Sequence, residues 1–475
     1  MVFNGQRIFP LNRTSGKITA MSHHDDHDDH HDHKGCGSSA HSRRAFLKGA
    51  LFSSFGLIGS SVGLPTMSFA QTAGGKTLIK IFMRGGADGM SLFPPFGDMN
   101  YYTQRPNVNI DAPSSQDPNA ALPLMGKYGM NPNLRSLKEI WDTGNMAISM
   151  ATHFNEGNRS HFDCMRWIEL GSTQTGLDGM FNRYLQNVAG ANPLRAVRAG
   201  SSNQAASMGG RIVVPSISDS GSYSLTNYDW CGGANCSDNE LTKTLQAMGA
   251  VPVGPAIEQS TRRVQSTMVD TIATVQAASK DYQPTANGMQ YADGQNGRQW
   301  TSMGNGLKLV AQLLKAGVPL EIAAIDWGGH WDTHENQYSG GVIDQNNGHA
   351  KHLKLGADNL LTFWRDLGPA LRKNVIVMVG SEFGRTVREN GSLGTDHGGG
   401  GAWFAFGGST KGGIYGDLPA LTDANTPDNK VPTVLNYKDM LGEALSRHMG
   451  VSSTVMSNLF PGHTFTNHNM FTASV

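Results

Sequence analysis

Two stretches of this sequence crowd together side chains that can bind metal or move protons. The first, Asp326-Trp327-Gly328-Gly329-His330-Trp331-Asp332-Thr333-His334, places two Asp and two His within nine residues. Carboxylate oxygen and imidazole nitrogen together suit zinc, manganese or another divalent ion. The second begins where the apolar run Val375 to Val379 ends and contains Ser381, Glu382, Arg385, Asp396 and His397. Glycines 398 to 401 beside the Asp396-His397 pair allow close backbone approach. A purely structural reading of this stretch is an ion pair between Glu382 and Arg385 that locks a turn. Two smaller groups add to these. Arg84-Gly85-Gly86-Ala87-Asp88-Gly89 carries one carboxylate in a glycine turn, and Arg159-Ser160-His161-Phe162 puts a hydroxyl where a helix begins. Main-chain amides at a helix N-terminus favour anions, so Ser160 reads either as a nucleophile or as a plain N-cap. Arg159 or Arg385 is the cation suited to neutralising an anion held beside such a divalent ion.

The elements that must position these groups follow from hydrophobic pattern. Val375 to Val379 is wholly apolar and too short for a helix, which marks a strand buried on both faces of a parallel sheet. Thr77 to Met83, Met146 to Met150 and Pro319 to Ile325 read the same way. Between them lie helical faces. One opens at Asn131-Pro132 and runs through Leu134, Leu137 and Ile140 to Gly144; another comprises Leu307, Val310, Leu313 and Leu314, ending at Gly317. Leu353, Leu360, Trp364, Leu367 and Leu371 trace a third, and Tyr437 to Met449 a last one before Gly450. The alternation predicts an α/β fold with a mostly parallel central sheet and helices on both faces. In such sheets ligands bind beyond the carboxyl ends of the strands. Asp88, Asp332, His334, Glu382, Asp396 and His397 are therefore expected to meet at one sheet edge.

Composition narrows the class of function. The chain has 475 residues with 38 Lys+Arg against 38 Asp+Glu, and no basic run of the kind that phosphate backbones attract, so nucleic acid is not an expected partner. Ser42-Arg43-Arg44-Ala45-Phe46-Leu47-Lys48 has the twin-arginine pattern, and Ser68-Phe69-Ala70 is a small-residue cleavage site. Residues 1–70 are thus expected to be an export presequence, and residues 71–475 one periplasmic domain. The apolar stretch after the arginines carries Lys48 and many Gly and Ser, which makes it a poor stable membrane span. Residues 22 to 33 hold six of the seventeen histidines, a metal-binding type of tract that leaves with the presequence, and Met21 is an alternative start. Cys164 reads as a buried helix thiol, while Cys231 and Cys236 flank a turn and are spaced for a local disulfide. From about 190 to 300 the composition turns to Asn, Gly, Ser, Gln and Ala, which reads as a loop-rich insertion with a helix near Ile257 to Ser279.

Taken together, RGGADG at 84–89, RSHF at 159–162, GGHWDTHENQ at 328–337, SEFGRT at 381–386 and GTDHGGG at 394–400, behind a twin-arginine signal, resemble the exported family "domain of unknown function 1501". That family is grouped with the alkaline phosphatase and sulfatase superfamily and has no established activity. The resemblance implies an alkaline phosphatase-like fold and a site for one or two divalent metal ions, zinc or manganese. Asp88 matches its first carboxylate, Ser160 its nucleophile position, and Asp332 with His334 its middle pair. Asp326 and His330 show the superfamily's Asp-x-x-x-His spacing and stand as an alternative pair. For the superfamily's Asp-His dipeptide the resemblance leaves two registrations: Asp396-His397, moved to a loop past its strand, or Glu382-Phe383 at the strand end, which fits the strand better, makes His397 the final ligand and loses one ligand. The resemblance implies a hydrolase of small phosphate or sulfate esters or, as the alternative, a non-catalytic envelope binding or assembly protein. It also implies a possible exported partner from the family "domain of unknown function 1800". Cys164 lacks the Cys-x-Pro-Ser-Arg context of sulfatases with a modified cysteine.

Overall fold

A computed structural model describes residues 75–473, apart from 115, 155–156, 201–204, 222, 225–255, 281, 285–289 and 293–301. The presequence, the histidine tract, Cys231 and Cys236 lie outside the described residues.

Strand β1 (Thr77–Met83) is buried along its whole length and forms the middle of a nine-stranded sheet. After the hairpin of β2 (Leu122–Pro123) and β3 (Gly129–Met130), the sheet continues with β4 (Met146–His153), β5 (Ala196–Ala199), β6 (Ser216–Ile217), β7 (Ile322–Trp327) and β8 (Val375–Ser381). It is completed by β9 (Gly401–Gly407), β10 (Gly413–Tyr415) and β11 (Leu435–Asn436). The order is β10-β4-β9-β8-β1-β7-β5-β6, with β11 also on β4. β7 and β8 flank β1 in parallel, with Phe82 opposite both Asp326 and Gly380. Only β9 is antiparallel to its neighbours β4 and β8. The loop between β8 and β9 contains no helix, and a parallel return would need a long crossover, usually helical. The chain therefore leaves β8 at the carboxyl edge and re-enters the sheet from that same edge.

Alternation along β1 separates two cores. Ile79, Ile81 and Met83 pack with α1 (Arg135–Asp142), α5 (Ser302–Lys315) and α6 (Gly348–Arg372). Leu78 and Phe82 pack on the other face with α2 (His161–Leu170), α3 (Met180–Asn187) and α7 (Tyr437–Glu443). Apolar surface on both sides makes the strands read as unbroken hydrophobic runs. Helix α4 (Ala256–Lys280) lies where the sequence suggests one. The stretch read as an insertion is not all peripheral, since β5 and β6 are strands of the central sheet. Their few residues carry no strand-length apolar run, which is why composition hid them. Among the described residues no helix is long and apolar enough to cross a membrane.

Candidate metal centre

The carboxyl edge gathers four loops. Asn131, Ser160 and Asn347 show how the local sequence fixes their exits, because each caps a helix with its side-chain oxygen. Ser160 caps α2, accepting from the Asp163 amide at 3.4 Å, which is the N-cap role. Its capping puts His161 at the first helical position, where side chains tilt back toward the N-terminus and hence toward the sheet edge.

Three imidazoles and one carboxylate converge there. His397 Nε2 stands 2.9 Å from His161 Nε2, 3.1 Å from His334 Nε2 and 3.2 Å from Asp332 Oδ1. His334 Nε2 is 3.0 Å from Asp332 Oδ1, and His161 Nε2 is 3.5 Å from Asp332 Oδ2. The opposite nitrogen of each ring is held by an acceptor. His161 Nδ1 bonds Glu382 Oε1 at 2.6 Å, His334 Nδ1 bonds Asp396 Oδ1 at 3.0 Å, and His397 Nδ1 bonds the Arg159 carbonyl at 3.0 Å. An acceptor at Nδ1 requires the hydrogen to sit there, so in the neutral rings all three Nε2 lone pairs face one another and a carboxylate. Three lone pairs turned toward one another beside a carboxylate favour a cation between them, although Asp332 Oδ1 also accepts from Arg385 Nη2 at 2.5 Å. His161, Asp332 and His397 meet the spatial requirement for holding one ion. Their separations bracket the roughly 3.3 Å ligand-to-ligand spacing of a tetrahedral site with 2.0–2.1 Å bonds.

Electrostatics favour the deprotonated form at three groups, Asp332, His397 and Asp396. Burial pushes Asp332 up, but the hydrogen bond and charge of Arg385, with His161 and His334, outweigh it and hold the carboxyl below the usual carboxylate range. Burial, then His161 and Arg385, lowers His397. At Asp396 the Asn390 amide, with His334 and Arg385, outweighs burial and lowers the carboxyl.

The structure distributes the sequence-derived candidates among distinct roles. Asp332, His334 and His397 present atoms to the cluster; Asp326 and His330 do not. Asp326 is buried and paired with Arg84 at 2.8 Å, and His330 is exposed. Glu382 and Asp396 stand behind the histidines rather than inside the cluster. Glu382 is fully buried and also accepts from the Gly85 amide at 2.8 Å and Ser381 Oγ at 2.9 Å. Asp88 is bound elsewhere: Arg105 grips both of its oxygens at 2.6 and 3.1 Å, and Gln337 donates to one at 2.9 Å. Arg385 is a buried clamp and offers nothing to an anion. Its guanidinium donates to the carbonyls of Gly85, Gly86, Trp331 and Thr395 and to Asp332 Oδ1 at 2.5 Å, tying three strand-end loops together. Arg159 is half-buried and donates to the His397 carbonyl at 3.0 Å.

His161 is the ligand-type residue that sequence reasoning passed over, although RSHF had been singled out. The signal was its position directly after an N-cap. Phe383 is buried between two of the rings, 4.7 Å from the His161 ring and 5.0 Å from that of His397. A side chain at Gly86, whose φ is +65°, would put its Cβ 2.4 Å from the Phe383 ring.

Comparisons with known proteins follow the same lines. Residues 240–462 match the family model described as "Protein of unknown function (DUF1501)", which bears out the resemblance over that span. No curated protein matches. Among solved structures, the chain is similar to the alkaline phosphatase from the Antarctic bacterium TAB5, with 10% identity, 82% of this chain and 100% of that chain covered, and a TM-score of 0.31. A mutant of the TAB5 enzyme with Mg bound in its M3 site gives 12% identity, 73% and 95% coverage, and a TM-score of 0.29. Likenesses this loose place no individual residue.

Proposed function

We propose that the carboxyl edge binds one divalent transition-metal ion through His161, Asp332 and His397, with His334 as the fourth side chain of the cluster, and that the site hydrolyses small phosphate or sulfate esters. The observation that carries this reading is the set of inward-facing Nε2 lone pairs, each imposed by an acceptor at Nδ1. Bound there, the ion supplies Lewis acidity toward an anionic oxygen. The chain's own residues do the rest. Glu382, Asp396 and the Arg159 carbonyl fix ring tautomer and orientation, an arrangement whose loss typically costs 10–100-fold in metal affinity. Arg385 holds Asp332 in place and ionised. Ser160 Oγ, committed only to a long cap bond, is the candidate nucleophile beside His161. Phe383 fills the space between two rings with an apolar side chain, which supports one ion over two. Zinc fits the nitrogen-rich donor set best, with manganese second.

The test is elemental analysis of the purified protein together with ester hydrolysis. We expect close to one equivalent of zinc or manganese, loss of activity toward aryl phosphates and sulfates with EDTA, and the same loss in His397→Ala. Less than about a tenth of an equivalent, with no thermal shift on adding either metal, would leave the binding or assembly role instead. A metal-loaded protein inactive on every ester would support that second role while keeping the metal site.

Export supplies the setting of this reading. SRRAFLK supports twin-arginine translocation to the periplasm with cleavage after Ala70. Replacing Arg43 and Arg44 by Lys should leave the precursor in the cytoplasm, and normal export of the double variant would refute the assignment.

A further inference from the structure

The face of the sheet that carries α2 and α3 buries an unbalanced set of charges away from the metal centre. Lys80 lies in the middle of β1 and is only 2% exposed, yet its Nζ has no hydrogen-bond partner among the described residues. It lies 4.5 Å from the Phe82 ring and feels the charges of Glu169, Arg84 and Asp326 without a hydrogen bond to any of them. Lys80 is in register with Ala324 of β7, which in turn is in register with Arg198 of β5. Residues in register on adjacent parallel strands share a face, so the two cations flank the small Ala324 methyl group in one row. Arg198 Nε is also buried and without a hydrogen-bond partner among the described residues, as is the hydroxyl of Ser207, in the turn Ala206–Met208. That turn covers the same face, since Met208 packs in the core of Phe82 and Ala324, and Gly209 comes close to the Arg198 guanidinium.

The two carboxylates in this region are already engaged. Arg84 binds Glu169 at 3.1 and 3.4 Å and Asp326 at 2.8 Å. Among the described residues three cations therefore face two anions, and Lys80 Nζ and Arg198 Nε are among the buried donors left over. Burying an unpaired ammonium is costly. Neutralising it is one solution, and burial does lower Lys80 to about 8. A counter-ion is the other, and it also satisfies the Arg198 guanidinium, which cannot lose its proton.

We propose that this face holds one monovalent anion of chloride size, bound between β1 and β5 by the Lys80 ammonium and Arg198 Nε, with the Ser207 hydroxyl as a third donor. One negative charge balances the cluster, and Ala324 between the two cations carries the smallest side chain that a strand residue other than glycine can offer. The anion is structural: it joins the central strand to the turn that follows β5.

Melting temperatures in sodium gluconate, chloride and bromide at one ionic strength test this. Because such an anion binds only the native state, chloride and bromide should raise the melting temperature by a few degrees with saturating dependence. Lys80→Met should abolish the halide dependence. Should that variant fail to fold, crystals of the wild-type protein grown in bromide provide the second readout, an anomalous peak in contact with Lys80 Nζ and Arg198 Nε. Equal melting in all three salts, or no peak on this face, overturns the proposal. A peak seen only after a molar bromide soak, with no thermal shift, is an adventitious ion only and overturns it as well. Metal content does not enter any of these readouts.

Discussion

Two clusters in this molecule are built from the same residue types and do opposite things with them. At the carboxyl edge, His161, His334 and His397 turn bare nitrogens toward one another and toward Asp332. At the C-terminal end, Asp439 receives His463 Nε2 at 2.8 Å and the Thr466 amide at 3.0 Å, with His468 Nε2 at 3.5 Å. Beside it Glu443 receives the amides of His468, Asn469 and Met470 at 2.7–2.8 Å. There the carboxylates of α7 face donors and fasten the last residues of the fold; at the edge, three Nε2 atoms face one another, and Arg385 is the donor to Asp332 Oδ1. Composition cannot separate a ligand set from a hydrogen-bonded strap. The balance of donors and acceptors can, because lone pairs gathered around one point repel one another unless a proton or a cation lies between them.

The largest effect that would break this comparison is at His161. We expect His161→Ala to reduce bound metal from about one equivalent to less than a tenth, and to abolish the chelator-sensitive part of stability, about 2.7 kcal/mol at metal a hundredfold above its dissociation constant. Elemental analysis and melting with and without EDTA measure both. Retention of metal in His161→Ala would show that the cluster is another strap. Asp332, His334 and His397 are legible as ligands in the sequence because they sit in dense Asp/His loops after apolar strands. His161 is not, because a lone histidine after an N-cap gives no local signal of what it meets across the sheet edge.

Acid should act next most strongly, and it sharpens the contrast by removing a background common to both clusters. Burial lowers His349 to about 4, and His153 to about 4 as well. A histidine whose folded value is depressed stabilises the fold above its ordinary 6.5, and that stability is lost as pH falls toward 4, where the unfolded chain binds the extra proton. The gap corresponds to roughly 3 kcal/mol for each. Denaturant titrations of the EDTA-treated protein at pH 7 and pH 4.5 should show this decline without metal. The metal-dependent increment should vanish separately over the same range, as the ligands must be deprotonated to bind. An apo protein equally stable at both values would contradict the buried-neutral assignment.

The smallest effect is expected at the strap. Asp439→Asn keeps an acceptor but loses the charge, so stability should fall by about 1 kcal/mol with metal content unchanged. Loss of metal in that variant would mean that the two clusters are coupled.

Local pattern specified strands at Thr77 to Met83, Met146 to Met150 and Val375 to Val379, a helix near Ile257 to Ser279, and an α/β sheet whose carboxyl edge gathers the chemistry; the structure extends the second and third strands to His153 and Ser381 and the helix to Ala256–Lys280. These follow from apolar period and run length, which burial on both faces imposes directly on the sequence. The short β5 and β6 and the reversed direction of β9 were settled by pairing across the sheet, which no local run encodes. Tertiary structure also decided which charged groups meet. Arg105 took Asp88 out of the site, four carbonyls and Asp332 turned Arg385 into a clamp, and Glu382 moved behind His161. The physical reason is that a carboxylate or guanidinium acts according to the donors and acceptors around it, and those arrive from strands far apart in the chain.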